Sequence, residues 1–191
     1  ESCLSFEDVG QPKQQIMASR SFGTVLSDPY AIKAALTHHI SRAAEKLRAQ
    51  QSVCANVYVM LRTNPFREQD QQYRRTTLVP LDHASADTGV LMKAALKGLR
   101  QIFVPGLKYH KCGVMLGEIE PAGIQQTDLF APVDDPKRLR LMSLMDSINQ
   151  TQGSGTLHLA STQLSAAWQM RAGDRSPRYT TCWDELPIAY A

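Results

Sequence analysis

At 191 residues, with 43% hydrophobic and 20% charged side chains, the chain is long enough for one ordinary domain plus a small appended part. It is apolar enough to build a core, so disorder throughout is excluded. No apolar run approaches the roughly 20 residues that cross a bilayer, and no segment has the layout of a secretory signal, so no membrane role and a cytoplasmic setting are expected.

Cys3, Cys54, Cys112 and Cys182 are scattered without a C-x-x-C pair, which fits reduced thiols better than a disulfide framework or a zinc site. The chain opens on Glu1 rather than Met and is expected to be a piece of a longer protein. The net charge of +3 is unevenly spread. Between Gly10 and Gly117 stand fifteen Lys/Arg against six Asp/Glu, whereas from Pro121 onward six basic face seven acidic residues. A compact basic module points to a polyanionic partner such as nucleic acid.

Gln15 to Val25 reads as a strand of small and polar residues. Asp28 is placed to cap a helix whose first position is Pro29, where a missing N–H costs nothing. In that helix, running to Gln50, Ile32, Leu36, Ile40, Ala43 and Leu47 recur at helical spacing and form one buried face. Val53 to Leu61 alternates as a strand, Thr63-Asn64-Pro65 ends it, and Arg74 to Leu81 reads as a second, partly polar strand in which Pro80 marks an edge or a strand end.

A second helix is expected from Asp87 to Phe103 with Leu91, Ala95, Leu99 and Ile102 inward, and Tyr109 to Glu118 supplies the fourth strand. The order β-α-β-β-α-β predicts an α+β domain: a four-stranded sheet with two helices on one face and the other face open. Beyond Pro121 come an extended segment over 123–132, a helix from Asp135-Pro136 to Asn149 with Leu141, Leu144, Met145 and Ile148 on one side, a short strand over Thr156–Ala160 and a stretch around Trp168. This small C-terminal α/β tail is too short for its own core and is expected to need support from the body or from another protein.

Three stretches carry a resemblance to a known family. They are Ser19-Arg20-Ser21-Phe22-Gly23 with the helix end Arg42 to Arg48; Lys111-Cys112-Gly113-Val114-Met115-Leu116-Gly117 with Gln126-Thr127-Asp128-Leu129-Phe130; and Trp168-Gln169-Met170 with Ser176 to Thr181. In order and spacing they resemble the C-terminal part of the UmuC-type Y-family translesion DNA polymerases. The resemblance implies residues 1–14 as linker from a missing catalytic core, 15–120 as a little finger DNA-binding domain, 121–134 as a linker with a clamp-binding motif, and 135–191 as the UmuC-type tail. It further implies a role in error-prone synthesis during SOS mutagenesis.

Phosphate contacts need positive charge, hydroxyls and free N–H groups, and by resemblance Ser19, Arg20 and Ser21 contact the template backbone of primer-template DNA. Arg74, Arg75 and Lys111 are further candidates, and since adjacent strand residues point oppositely, one of Arg74 and Arg75 is expected on the DNA side. Gln126, Thr127, Asp128, Leu129 and Phe130 fit the Q-x-x-L-F form that holds the sliding clamp, with Leu129 and Phe130 entering an apolar pocket. The family also implies the processed UmuD dimer and RecA as partners of the tail.

The carboxylate pairs Glu118/Glu120, Asp134/Asp135 and Asp184/Glu185 lack the setting that holds metal ions at nucleotide phosphates, so the chain itself is not expected to be an enzyme. No cofactor is expected in this fragment; Mg2+ and dNTP belong to the missing core. Two alternatives stand beside this reading: a non-catalytic clamp-binding adaptor, and an RRM-like RNA-binding module, for which Phe22 and Tyr109 would be the stacking aromatics.

Overall fold

The structure, a computed structural model, describes residues 11–123, 135–162, 168–169 and 176–187. Four strands and two helices alternate in the body: β1 (Ile16–Leu26), α1 (Pro29–Ala49), β2 (Ser52–Thr63), β3 (Arg74–Ser85), α2 (Thr88–Ile102) and β4 (Tyr109–Pro121). The strands form one sheet in the order β1-β4-β2-β3, with every pairing antiparallel. This is the α+β class expected from the sequence, and β3, which carries Pro80, is indeed an edge.

Local chemistry sets the helix ends. Asp28 accepts from the amides of Tyr30 and Ala31 at 3.1 Å, and Asp87 accepts from the Val90 amide at 2.9 Å, each satisfying donors that a first helical turn leaves open. Both helices pack on one side of the sheet. The stripe Ile32, Leu36, Ile40, Ala43 and Leu47 is fully buried against Val57, Val59, Leu61, Val114 and Leu116. At Gly98 of α2 an added Cβ would lie 2.9 Å from Val59 and 3.1 Å from Val79, so this helix rests almost directly on the strands.

The tail straps across the helical layer. Helix α3 (Pro136–Thr151) begins at the Asp135 cap and lies over the start of α2 and the end of α1. Arg138 makes a two-pronged bond to Asp87 at 2.8 and 2.7 Å, and Arg48 makes one to Asp146 at 2.6 and 2.7 Å. Further on, Arg42 donates to Ser154, Ser161 meets the Met92 sulfur, and the Trp168 carbonyl accepts from Gly23 of β1 at 3.2 Å. Trp168 itself is buried against His38 and His39 of α1.

Two expectations for the tail are corrected. On α3 the side turned to the body carries Met142, its one buried residue, while Leu141 and Leu144 are 52% and 57% exposed. The helix is anchored by charge at Arg138 and Asp146 instead of by its leucines, and those anchors lie on the Met142 side. Thr156–Ala160 is not a strand, and the α/β description of the tail does not hold among the described residues, which form α3, turns and a short 3-10 helix at Trp183–Glu185. Thr156 bonds back to the Gly153 carbonyl, and Leu157 exchanges two bonds with the Asn149 side chain, so local side-chain partners capture the backbone that a strand needs.

Candidate nucleic-acid interface

Residues directly opposite in an antiparallel ladder share a face, and alternate residues along a strand share one too. Val57, Val59 and Leu61 of β2 face the helices, which places Tyr58, Met60 and Arg62 on the helix-free side. Arg62 pairs with Lys111 of β4 on one side and with Arg74 of β3 on the other, and Lys111 pairs with Ser21 of β1. One row of the open face therefore reads Ser21, Lys111, Arg62, Arg74 across all four strands. Ser19 stands in the next row, opposite Gly113.

Three cations abreast in adjacent strands repel one another. No described carboxylate forms an ion pair with any of the three. Arg62 is half-buried, and among the described residues its Nε has no hydrogen-bond partner. Nearby His110 is held below its usual value first by burial and then by the charges of Arg62, Arg67 and Lys111. An anion bridging the row would relieve the repulsion.

Of the residues proposed from sequence, Ser19, Ser21, Lys111 and Arg74 thus share the open face. Arg20 and Arg75 do not join them. Arg20 stands opposite Cys112, and Arg75 opposite Leu61, two residues buried on the helix side, because the two-residue strand period sends neighbours to opposite faces. Gln126, Thr127, Asp128, Leu129 and Phe130 lie outside the described residues. Arg62 was missed from sequence because the alternation was followed only from Val53 to Leu61; continuing that of Tyr58 and Met60 by one step, before Thr63-Asn64-Pro65 ends the strand, finds it.

Other chemistry is poorly served here. Burial pushes the Cys54 thiol up to about 12 and raises Cys112 further, so neither is a ready nucleophile. Among the described residues no three His, Cys, Asp or Glu side chains gather as metal ligands. No described helix is long and apolar enough to cross a membrane. Phe22 and Tyr109 are 4% and 0% exposed, with the Tyr109 hydroxyl bonded at Val104, so neither offers a ring to a base.

A family model described as the impB/mucB/samB family C-terminal domain matches residues 13–129. The chain belongs to this family. A second model, described as a domain of unknown function, matches residues 139–189. The chain is similar to Protein SamB of Salmonella typhimurium, with 37% identity over 190 residues, covering 99% of this chain and 45% of that protein. It is also similar to Protein UmuC of Salmonella typhimurium, with 35% identity over 189 residues, covering 97% of this chain and 44% of that protein. The chain thus spans less than half the length of these curated relatives.

Among solved structures, it is similar to a Y-family DNA polymerase chimera at 15% identity and a TM-score of 0.42, covering 62% of this chain and 32% of that one. It is also similar to a structure described as the complex of a beta-clamp processivity factor and the little finger domain of PolIV, at 17% identity and a TM-score of 0.37, covering 61% of this chain and 99% of that one. In this impB/mucB/samB domain the cation row lies wholly within the 13–129 match. Both Asp146 and Trp168 belong to the 139–189 match, so their contacts with Arg48 and Gly23 join the two matched regions.

Proposed function

We propose that the chain is the DNA-gripping and clamp-docking C-terminal part of an error-prone translesion DNA polymerase of the UmuC type, working in the cytoplasm during SOS mutagenesis. The single observation that carries this reading is the row Ser21, Lys111, Arg62, Arg74 on the uncovered face. Cations and hydroxyls without base-reading amides bind phosphates and leave sequence unread, as an enzyme that must pass any base requires. The family membership and the UmuC and SamB relatives support it.

On this reading Gln126, Thr127, Asp128, Leu129 and Phe130 form a hook for the sliding clamp, and the tail meets the processed UmuD dimer and RecA. A hook of micromolar strength, worth about 8 kcal/mol, becomes effective when tethered beside a DNA grip, because the second contact is then intramolecular. Polymerisation, with its Mg2+ and dNTP, belongs to a catalytic core outside this chain.

The test is fluorescence anisotropy with labelled primer-template DNA and with single-stranded RNA over a salt series. With three phosphates neutralised by Lys111, Arg62 and Arg74, log affinity falls against log salt with a slope of about −2.7. The intact chain is expected to prefer DNA, and Lys111→Ala with Arg62→Ala to bind it poorly. Equal binding by that double variant removes the grip, while clamp binding unchanged by Leu129→Ala with Phe130→Ala removes the hook. A preference for RNA would favour the RNA-binding alternative, which the burial of Phe22 and Tyr109 already weakens.

A further inference from the structure

The cation row borders a second, chemically unlike surface on the same face. One step along the strands stand Ser19, Gly113, Met60 and Thr76, and one step further Met17, Met115, Tyr58 and Leu78. Successive rows on one face are about 6.7 Å apart, so the second of these begins about 13 Å from the cations. Met17 and Leu78 are 52% and 45% exposed, and Met60, Met115 and Tyr58 are half-buried.

The floor these residues make is low. A Cβ at Gly117 would meet the Tyr58 ring at 3.0 Å, so the ring leans over β4 and does not stand away from the sheet. Between the two rows Gly113 has no side chain, and a Cβ there would collide with Ser19 at 2.3 Å. Both helices pack on the opposite side, so neither covers it. Contiguous apolar surface left open on a folded protein marks a place of contact.

We infer that this methionine-tyrosine floor carries the sugar and base-edge side of the DNA whose phosphates lie on the cation row, which rests on the reading of this face as a DNA grip. Two features select nucleic acid as the occupant: the charge complementarity of the adjoining row, and the continuity of the two surfaces across the same four strands. A nucleic-acid strand is itself two-sided, with phosphate on one edge and carbon-rich sugar and base on the other. Thioethers are flexible and polarizable and make no directional hydrogen-bond demand, so they rest equally well against any base edge or groove shape. Met17, Met60 and Met115 thus supply contact area without sequence preference.

The experiment is a salt series of anisotropy titrations with labelled primer-template DNA, using the whole chain and the variants Met17→Gln, Met60→Gln, Met115→Gln and Arg62→Ala. Each glutamine variant keeps side-chain length but adds an amide, and it is expected to weaken binding about threefold to tenfold at every salt concentration. The slope against log salt should stay unchanged in these variants, because no released counterion is lost. Arg62→Ala should instead make the slope shallower by about 0.9. Glutamine variants that bind like the parent, while Arg62→Ala still flattens the slope, overturn the floor and leave the grip intact. An Arg62→Ala chain with unaltered slope and affinity overturns the grip and with it the floor. Met17, half-exposed on an edge strand, is the substitution that disturbs folding least, and circular dichroism checks it.

Discussion

Arg62 of β2 and Arg74 of β3 stand directly opposite each other on the helix-free face, with Lys111 facing Arg62 from β4. Directly opposed like charges destabilise a ladder by several tenths of a kcal/mol, and such a cost is typical of positions kept for binding. Arg74→Gln is therefore expected to stabilise the fold by about 0.5 kcal/mol at low salt, a gain that shrinks as salt screens the repulsion, while it weakens DNA binding. Denaturant titrations at low and high salt measure this, and a loss of stability at low salt would contradict the repulsion.

Gly113→Ala tests the contact between β1 and β4. The new Cβ would lie 2.3 Å from the Ser19 Cβ, 2.9 Å from its Cα and 3.1 Å from the Ala18 carbonyl, so the edge strand has to move. A loss of about 1 to 3 kcal/mol is expected, with weaker DNA binding, and Ser19→Gly in the same chain should recover part of it by removing the nearest atom. Full stability in the single variant would show that β1 yields freely.

Arg138→Ala probes the strap at its first anchor. Burial works to raise the Asp87 carboxyl, but the Arg138 bond and the amides of Val90 and Gly89 outweigh it and hold the group below its usual range. Since the folded value is depressed, the stabilisation is present above the unfolded value of about 3.9 and is lost as pH falls through the folded one. Removing Arg138 is expected to cost about 1 to 3 kcal/mol at neutral pH and to move acid unfolding to higher pH. Coincident acid-unfolding curves for parent and variant would refute this.

How much of this was legible in the sequence follows from the reach of each signal. The stripe from Ile32 to Leu47, the Asp28 cap and the helix starts at Asp87 and Asp135 are local and legible in the sequence. The faces of Arg20, Arg62 and Arg75 depend on which strands pair and in what register, and that is fixed by packing between segments far apart in the chain. The tail was misread for the same reason: Leu141 and Leu144 have the spacing of a buried stripe, yet Arg48 and Asp87, about 98 and 51 residues away from their partners, decide how α3 lies.

Docking of Trp168 should respond to acid. Burial, followed by His38, Arg20 and Lys111, lowers His39 to about 4, and burial, followed by Arg42 and Arg20, lowers His38. The folded chain therefore favours neutral rings, and the stabilisation, complete above the unfolded value of about 6.5, is lost as pH falls from there toward the folded values. In a Trp183→Phe background, which leaves Trp168 as the one tryptophan, emission is expected to shift to the red between pH 7 and pH 5. His39→Gln should flatten that response, and a parent spectrum constant over the interval would disprove it.

The bonds from Arg138 to Asp87 and from Arg48 to Asp146 each run between the C-terminal segment and the body, one in either direction of charge. Grafting the segment from residue 136 onward onto a relative's body would therefore succeed only where both recipient positions offer the matching sign. A mismatched hybrid would strand an acid and a base at the same seam, so the segment and its platform are inherited most safely as one piece.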